Sequence, residues 1–458
     1  MSEPTRNTTS RRDFLKNTGR LAATSVLAAG ITSRMYAAEN NTIKVVLIGC
    51  GGRGTGAADN ALSVKNGPIK LVALADVFED RLKRSYDGLV KQHANKMDVP
   101  QDRRFLGFDG YKKAMDCLDK GDVAIFATPP AFRWVHFKYA IDKGLNVFME
   151  KPVTVDGPTT KRMFQLSDEA DKKNLKVGVG LMVRHCHGRQ ELLKRINDGE
   201  IGDIILLRGY RMSGRSATAS RKPNNLSDLL WQIRTFHSWI WASGGVYSDY
   251  YIHQIDECSW MKGAWPTQAH ALGGRHYRGD SLDQNFDIYD VEYTYPDGTK
   301  FFYQGRNMDG CTPAFSSYAH GTKGSAIITT NSHTPGKVRT FKNQLIEGAE
   351  PIWRYPQPEK SPYQLEWDDL IDAIRNNKPY SEAKRGAEAS LVTSMGRMAA
   401  HTGNTVTYEQ MLNCPHEMAP DADKFTMDSP APVRAGADGK YPVPQPGILK
   451  DREYKELA

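Results

Sequence analysis

The stretch IKVVLIGCGGRGTG, residues 43–56, decides how the rest of the chain is read. IKVVLI is an almost unbroken apolar run, the pattern of a strand covered on both faces rather than one. Directly behind it, Gly49, Gly51 and Gly54 have the spacing G-x-G-x-x-G. In a strand–turn–helix context that spacing has a mechanical meaning. The first glycine permits a tight turn, the second lets backbone N–H groups approach a pyrophosphate, and the third lets the following helix start against the strand with its positive end toward the phosphates. Glycine-rich turns are common, so the neighbours carry the inference. IKLVALAD, residues 69–76, reads as a second buried strand ending in Asp76. A carboxylate there is placed to accept hydrogen bonds from an adenosine ribose and to repel a 2′-phosphate. The expected cofactor is NAD rather than NADP, with Arg81 and Arg84 just beyond as groups that soften the preference. Gly49, Gly51, Gly52, Arg53, Gly54 and Asp76 are the expected dinucleotide contacts.

Outward from this turn the alternation continues. VAIFATPP (123–130) is a strand stopped by two prolines, VHFKYAIDKG (135–144) a helix closed by Gly144, NVFMEKPV (146–153) a strand, and KVGVGLMV (176–183) the last of the set. Strands alternating with helices predict a parallel, doubly wound Rossmann domain over 43–183. From Arg184 the character changes. GDIILLRGYR (202–211), AHALGGRHY (269–277), FDIYDVEYTY (286–295), TKFFYQGR (299–306) and GSAIITT (324–330) alternate at period two. They predict a large, open, mainly antiparallel sheet in a second α/β domain over 184–415, with helices at 188–198, 245–262 and 362–376. Residues 416–458 contain PVPQP and are read as an extended arm over a domain or a neighbouring subunit.

The 458 residues are too many for one ordinary core, in line with two domains. The formal charge of +8 is spread, with no Lys/Arg run or basic helix outside the N-terminus, so nucleic acid is not an expected partner. The six cysteines form no CxxC pair and suggest neither a disulfide framework nor a metal site. The N-terminus stands apart. SRRDFLK (10–16), followed by the weakly apolar LAATSVLAAGI (21–31), reads as a twin-arginine signal peptide over 1–38. That predicts export, for instance to a periplasm, with no stable insertion in a membrane, since the apolar run is too short to span one.

Two further segments carry chemistry. MEKPV (149–153) puts Lys151 at the carboxyl end of a parallel strand, where such sheets bind their ligands. SGGVYSDYYIHQID (243–256) puts Asp249 and His253 four residues apart, on one face of a helix opened by two glycines. A lysine, an aspartate and a histidine converging on a hydroxyl can polarise it and take its proton as hydride leaves the carbon. His237, Arg184 and His185 lie in neighbouring segments and are candidate substrate contacts. Trp239, Trp241, Tyr250 and Tyr251 fit either a sugar-stacking face or a core. No metal ligand set is assigned.

In their order and spacing, GCGGRG, ATPP (127–130), the EKP triplet and GG…DYYIH resemble the Gfo/Idh/MocA oxidoreductases, over about residues 43–412. The resemblance implies that Lys151 is the catalytic lysine and that Asp249 and His253 are the pair that binds and helps deprotonate a sugar. It also implies that Thr128, Pro129 and Glu150 lie along the nicotinamide. Homodimers or homotetramers built on the outer face of the second sheet are implied as well. In this chain His136 stands further from the prolines than in many members.

A leader for folded proteins and a dinucleotide turn are compatible if the cofactor leaves with its host and is regenerated without dissociating. The expectation is an exported NAD-dependent oxidoreductase acting on a sugar, polyol or glycoside hydroxyl. A glycosidase working by transient oxidation, β-elimination, hydration and re-reduction is the alternative, and a non-catalytic sugar-binding protein is the third class.

Overall fold

A computed structural model describes residues 41–448; SRRDFLK and the rest of 1–40, and the end of the arm from 449, lie outside the described residues. The first sheet comprises β1 (Ile43–Ile48), β2 (Ile69–Asp76), β3 (Arg104–Leu106), β4 (Val123–Phe126), β5 (Asn146–Met149) and β6 (Val177–Val179). All its pairings are parallel, in the order β3-β2-β1-β4-β5-β6. The chain therefore winds outward in two directions from the β1/β4 crevice, and an open parallel sheet binds ligands at that reversal. α1 (Gly52–Ser63) follows β1, and α2 (Glu79–His93) follows β2. The apolar runs did predict double burial: β4 and β5 are buried at every position. The last strand is shorter than KVGVGLMV suggests. It ends at Val179, where the chain turns through Gly180 into a 3₁₀ segment, Met182–His185.

The second sheet contains β7 (Ile204–Ser213), β8 (Gln268–Gly274), β9 (Ile288–Thr294), β10 (Lys300–Asn307), β11 (Ala314–Gly321), β12 (Ser325–Thr330), β13 (Arg339–Phe341), β14 (Trp353–Arg354) and β15 (Val406–Thr407). Its order is β14-β13-β12-β11-β7-β10-β9-β8-β15, antiparallel except where β7 pairs parallel with β10. Period-two alternation sets one face inward: Leu207, Val291, Tyr293, Phe301 and Tyr303 are buried. Against that face packs the helix Gly245–Lys262, buried all along except at Tyr250, Trp260 and Lys262. The outward positions are mostly polar, such as Arg208, Asp290, Glu292 and Gln304, with Ile205, Leu272 and Phe302 as exposed apolar exceptions.

Two features join the sheets into one body. The helix Ala383–Thr402 is buried along nearly its whole length, and its Ala383, Ala387 and Ala389 share a core with Val147, Met149 and Val179 of the parallel sheet. The arm from 416 crosses the other side. Phe425 packs edge-on against Phe132 and Trp241, and Tyr441 packs against Trp231 and Trp239. Among the described residues no helix is long and apolar enough to cross a membrane.

Candidate active site

The carboxyl ends of β1, β4 and β5 open into a cavity of about 910 Å³, whose opposite wall carries Arg211, His237, Asp249, Tyr250, His253 and His333. At its floor the glycine turn has the geometry its spacing demands. Gly49 has φ +96°, and a Cβ there would lie 2.6 Å from the Ala127 carbonyl carbon. A Cβ on Gly54 would lie 2.0 Å from the Gly49 carbonyl oxygen. Only glycine lets α1 start this close to β1. At Gly51 and Gly52 a Cβ would meet nothing within 4 Å, so these residues present bare backbone to the cavity. α1 has no side-chain cap and no acid in its first turn, which leaves its first N–H groups free for an anion. This cradle fits a dinucleotide pyrophosphate. Asp76 lines the cavity as expected. Its carboxylate accepts hydrogen bonds from Cys50 N at 2.6 Å and Phe78 N at 2.9 Å, and burial raises its pKa. Arg81 and Arg84 line the same end.

Arg53 and Glu150, both expected at the cofactor, line the cavity and pair with each other, Nε to Oε1 at 2.8 Å. The Arg53 guanidinium also lies 4.8 Å from the centre of the Tyr363 ring. Thr128 and Pro129 form the cavity edge after β4. Arg133, buried and unread in the sequence, donates to the Thr128 carbonyl at 2.8 Å, and His136 sits behind the Thr128 hydroxyl at 3.2 Å. His136 thereby has a place, as a buried support for that loop; burial and then Arg133 push its pKa down to about 3.

Lys151, Asp249, His253 and His237 converge. The Lys151 ammonium donates to the Asp249 carbonyl at 2.6 Å and lies 3.6 Å from its carboxylate, which His237 Nε2 approaches to 3.0 Å. Asp249 is buried, which pushes its pKa up, but Lys151 and then His237 outweigh burial and hold it below the usual value. One helical turn on, the His253 ring packs against His333, tilted by 57° with centroids 4.3 Å apart. Burial first, then His333, Lys151 and Arg211, depress the His253 pKa well below the ordinary imidazole value. His253 is therefore neutral and able to accept a proton, beside an ammonium able to polarise an oxygen.

Arg184 and His185 do not line the cavity. Arg184 is locked on Asp256, with Nη2 to Oδ1 at 2.6 Å. His185 bridges Asp369 at 2.6 Å and Glu382 at 3.1 Å; burial opposes its charge, but those two carboxylates raise its pKa to about 9. Both residues brace the framework, so the substrate role expected for them has no support in this geometry. Of the aromatic quartet, Trp239, Trp241 and Tyr251 are core, and Tyr250 alone reaches the cavity. His333 went unread because nothing local marks it: it sits in the turn between β12 and β13, and only the sheet brings it to His253.

Residues 43–181 match the family described as "Oxidoreductase family, NAD-binding Rossmann fold" of the Gfo/Idh/MocA group. The match is to the NAD-binding Rossmann domain of that oxidoreductase family and covers the first domain of this chain. A scyllo-inositol 2-dehydrogenase (NAD(+)) of Bacillus subtilis is 25% identical over 264 residues, covering 56% of this chain and 68% of that one. A glycosyl hydrolase family 109 protein of Streptomyces coelicolor is 28% identical over 211 residues, 41% of this chain and 42% of the other. Two further inositol 2-dehydrogenases are matched over only 35% and 31% of their own lengths. Among solved structures, an aldose-aldose oxidoreductase from Caulobacter crescentus complexed with glycerol superposes with a TM-score of 0.61 at 18% identity, covering 80% of this chain and 99% of that one. That likeness is one of fold alone.

Proposed function

We propose that the protein oxidises a hydroxyl of a sugar, polyol or glycoside at the Lys151–Asp249–His253 cluster, with NAD held in the Gly49–Gly54 turn. The observation that carries this reading is the facing of that turn by a lysine and a neutral histidine across one cavity. Gly51, Gly52 and the open start of α1 would hold the pyrophosphate, Asp76 the adenosine ribose, and Thr128 and Pro129 the nicotinamide end. The bound dinucleotide supplies the hydride acceptor. Lys151, fixed by the Asp249 carbonyl, donates to the substrate oxygen and steadies its developing negative charge. His253 takes the hydroxyl proton at a ring nitrogen, and the cations around it favour the proton's onward release. Asp249 holds the Lys151 ammonium and the His237 ring in place. NAD is proposed over NADP on the strength of Asp76, with Arg81 and Arg84 as the groups that oppose the choice.

The leader supports the proposal that this is an exported, periplasmic enzyme whose cofactor is regenerated without leaving. It associates into dimers or tetramers through the second sheet. Similarity to a glycosyl hydrolase family 109 protein favours a second reading: the substrate is a glycoside, oxidised, opened by β-elimination, hydrated and re-reduced. A ketone beside the C–H bond to be broken acidifies it, and the proton acceptor is already present in His253. The test is turnover of free hexoses, inositols and simple glycosides by the mature protein without added NAD. A net oxidoreductase accumulates oxidised product only with a second carbonyl compound as acceptor. The glycosidase releases aglycone with no net reduced cofactor. Turnover of neither kind, with Lys151→Ala leaving sugar affinity unchanged, contradicts both.

A further inference from the structure

Among the described residues, three cations that line the cavity have no carboxylate within ion-pair distance: Arg81 and Arg133, which donate to the backbone carbonyls of Arg234 and Thr128, and Arg211, which donates to no carbonyl. Three carboxylates line it, and each is engaged: Asp76 by backbone N–H groups, Glu150 by Arg53, and Asp249 by Lys151 and His237. Arg211, at the far end of β7, has no carboxylate within ion-pair distance among the described residues. Its one hydrogen bond runs from Nη1 to His333 Nε2 at 3.1 Å, and its guanidinium lies 4.0 Å from the centre of the Phe315 ring. A guanidinium only donates, so Nε2 of His333 must accept and its proton sits on Nδ1. That Nδ1 is buried and has no partner. Nε and Nη2 of Arg211 likewise make no hydrogen bond, while the side chain lines the cavity.

The assembly is also fixed in place. The fully buried Arg189, paired with Glu257 at 3.0 Å, donates to the His333 carbonyl at 2.9 Å and to Thr329 Oγ1 at 2.8 Å. The turn that carries His333 is thus tied to the sheet from behind, and Phe315 packs edge-on against its ring. A planar donor with two free N–H directions, clamped between an aromatic face and an imidazole, is the arrangement that receives a carboxylate in a fixed orientation. The pyrophosphate cradle lies on the parallel-sheet side, whereas Arg211 and His333 belong to the antiparallel sheet beside His253.

We propose that Arg211, oriented by His333, forms an anion-accepting subsite, and that the substrate is an acidic sugar whose carboxylate docks there while its hydroxyl faces Lys151 and His253. The inference rests on the oxidoreductase reading of the same cavity and narrows its substrate class. Neutral polyols would leave Nε and Nη2 of Arg211 without a carboxylate partner.

The NAD-loaded full-length protein is titrated with D-glucuronate, D-galacturonate and N-acetylneuraminate, with D-glucose and D-galactose as neutral parents and glucose 6-phosphate as a phosphate arm; turnover is followed by mass spectrometry. The expected result is that at least one carboxylate sugar binds more tightly than the neutral sugars by on the order of 10–100-fold, the worth of a charge-assisted pair. Arg211→Gln should abolish that preference and Arg211→Lys keep part of it. Preference for the phosphate alone, or equal binding of acids and neutral parents, overturns the carboxylate subsite, and the wild-type comparison decides this even if Arg211→Gln does not fold. Persistence of the preference in a folded Arg211→Gln overturns it too. Arg211-dependent binding of an acid that is never turned over keeps the subsite and overturns the oxidoreductase reading instead. Turnover of neutral sugars alone does the reverse.

Discussion

At the scale of single residues, the buried titratable groups make opposed claims on stability. His136, His253 and His333 have folded pKa values held below the ordinary imidazole value. For each, the unfolded chain takes up a proton that the folded chain refuses, so the stability they confer is present above about pH 6.5 and is lost as pH falls. At pH 5 the buried His136 costs about 2 kcal/mol. His185 has the opposite sign: raised to about 9 by Asp369 and Glu382, its contribution is complete below about pH 6.5 and is lost as pH rises through 9. Chemical denaturation across this range should therefore show a stability maximum near neutrality, with His136→Phe flattening the acid limb. Glu366 adds a separate case. It is 1% exposed, neither of its carboxylate oxygens has a partner, and burial, then Glu150, push its pKa well above the usual value. Such a carboxyl folds protonated and destabilises as pH rises above the unfolded value. Glu366→Gln should raise the unfolding midpoint at pH 8 and change little at pH 5; an unchanged midpoint at pH 8 contradicts the assignment.

At the scale of elements, legibility followed the covering of each surface. β1, β2, β4 and β5 announced themselves because strands covered on both faces read as unbroken apolar runs, and the period-two strands because one of their faces stays polar. The helix Ala383–Thr402 gave no such signal. Packed on all sides by small residues, it has no stripe and hence no 3.6-residue period to find. Its close approaches are testable. A Cβ on Gly396 would lie 2.0 Å from the Tyr293 hydroxyl oxygen, itself hydrogen-bonded to Tyr247 at 2.9 Å. Gly396→Ala should destabilise by about 1–3 kcal/mol, as overpacking of a filled core does, whereas the same change at the half-buried Gly88, where a Cβ meets nothing within 4 Å, should not. β11 was missed for a related reason: AFSSYAHG mixes small and polar residues, and its alternation is seen only once β7 and β12 flank it. The site divides likewise. Lys151, the Asp249–His253 pair and His237 lie in three short segments, the first two with their own patterns, while His333 and Arg133 are placed by tertiary packing alone.

At the scale of the whole molecule, the arm from 416 is part of the body that shapes the cavity. None of its described residues lines the cavity, yet Phe425 backs Phe132, which does, and Arg162 pairs with Glu417 at 2.8 Å. Truncation after Cys414 should strip cover from Phe132, Trp231, Trp239 and Trp241 and lower the thermal midpoint, since each buried large apolar side chain contributes about 1.5–3 kcal/mol. If the truncated chain keeps its midpoint, the arm is ornament. The central claim is that Lys151 and His253 act on a sugar hydroxyl across from a bound dinucleotide. The most direct measurement is the rate at which bound NAD is reduced on mixing the loaded protein with its sugar, read as nicotinamide fluorescence in wild type and Lys151→Ala. The account requires reduction in the wild type, and in the variant a rate slower by about 10²–10⁴ fold at equal NAD content. Equal rates in the two proteins would contradict it.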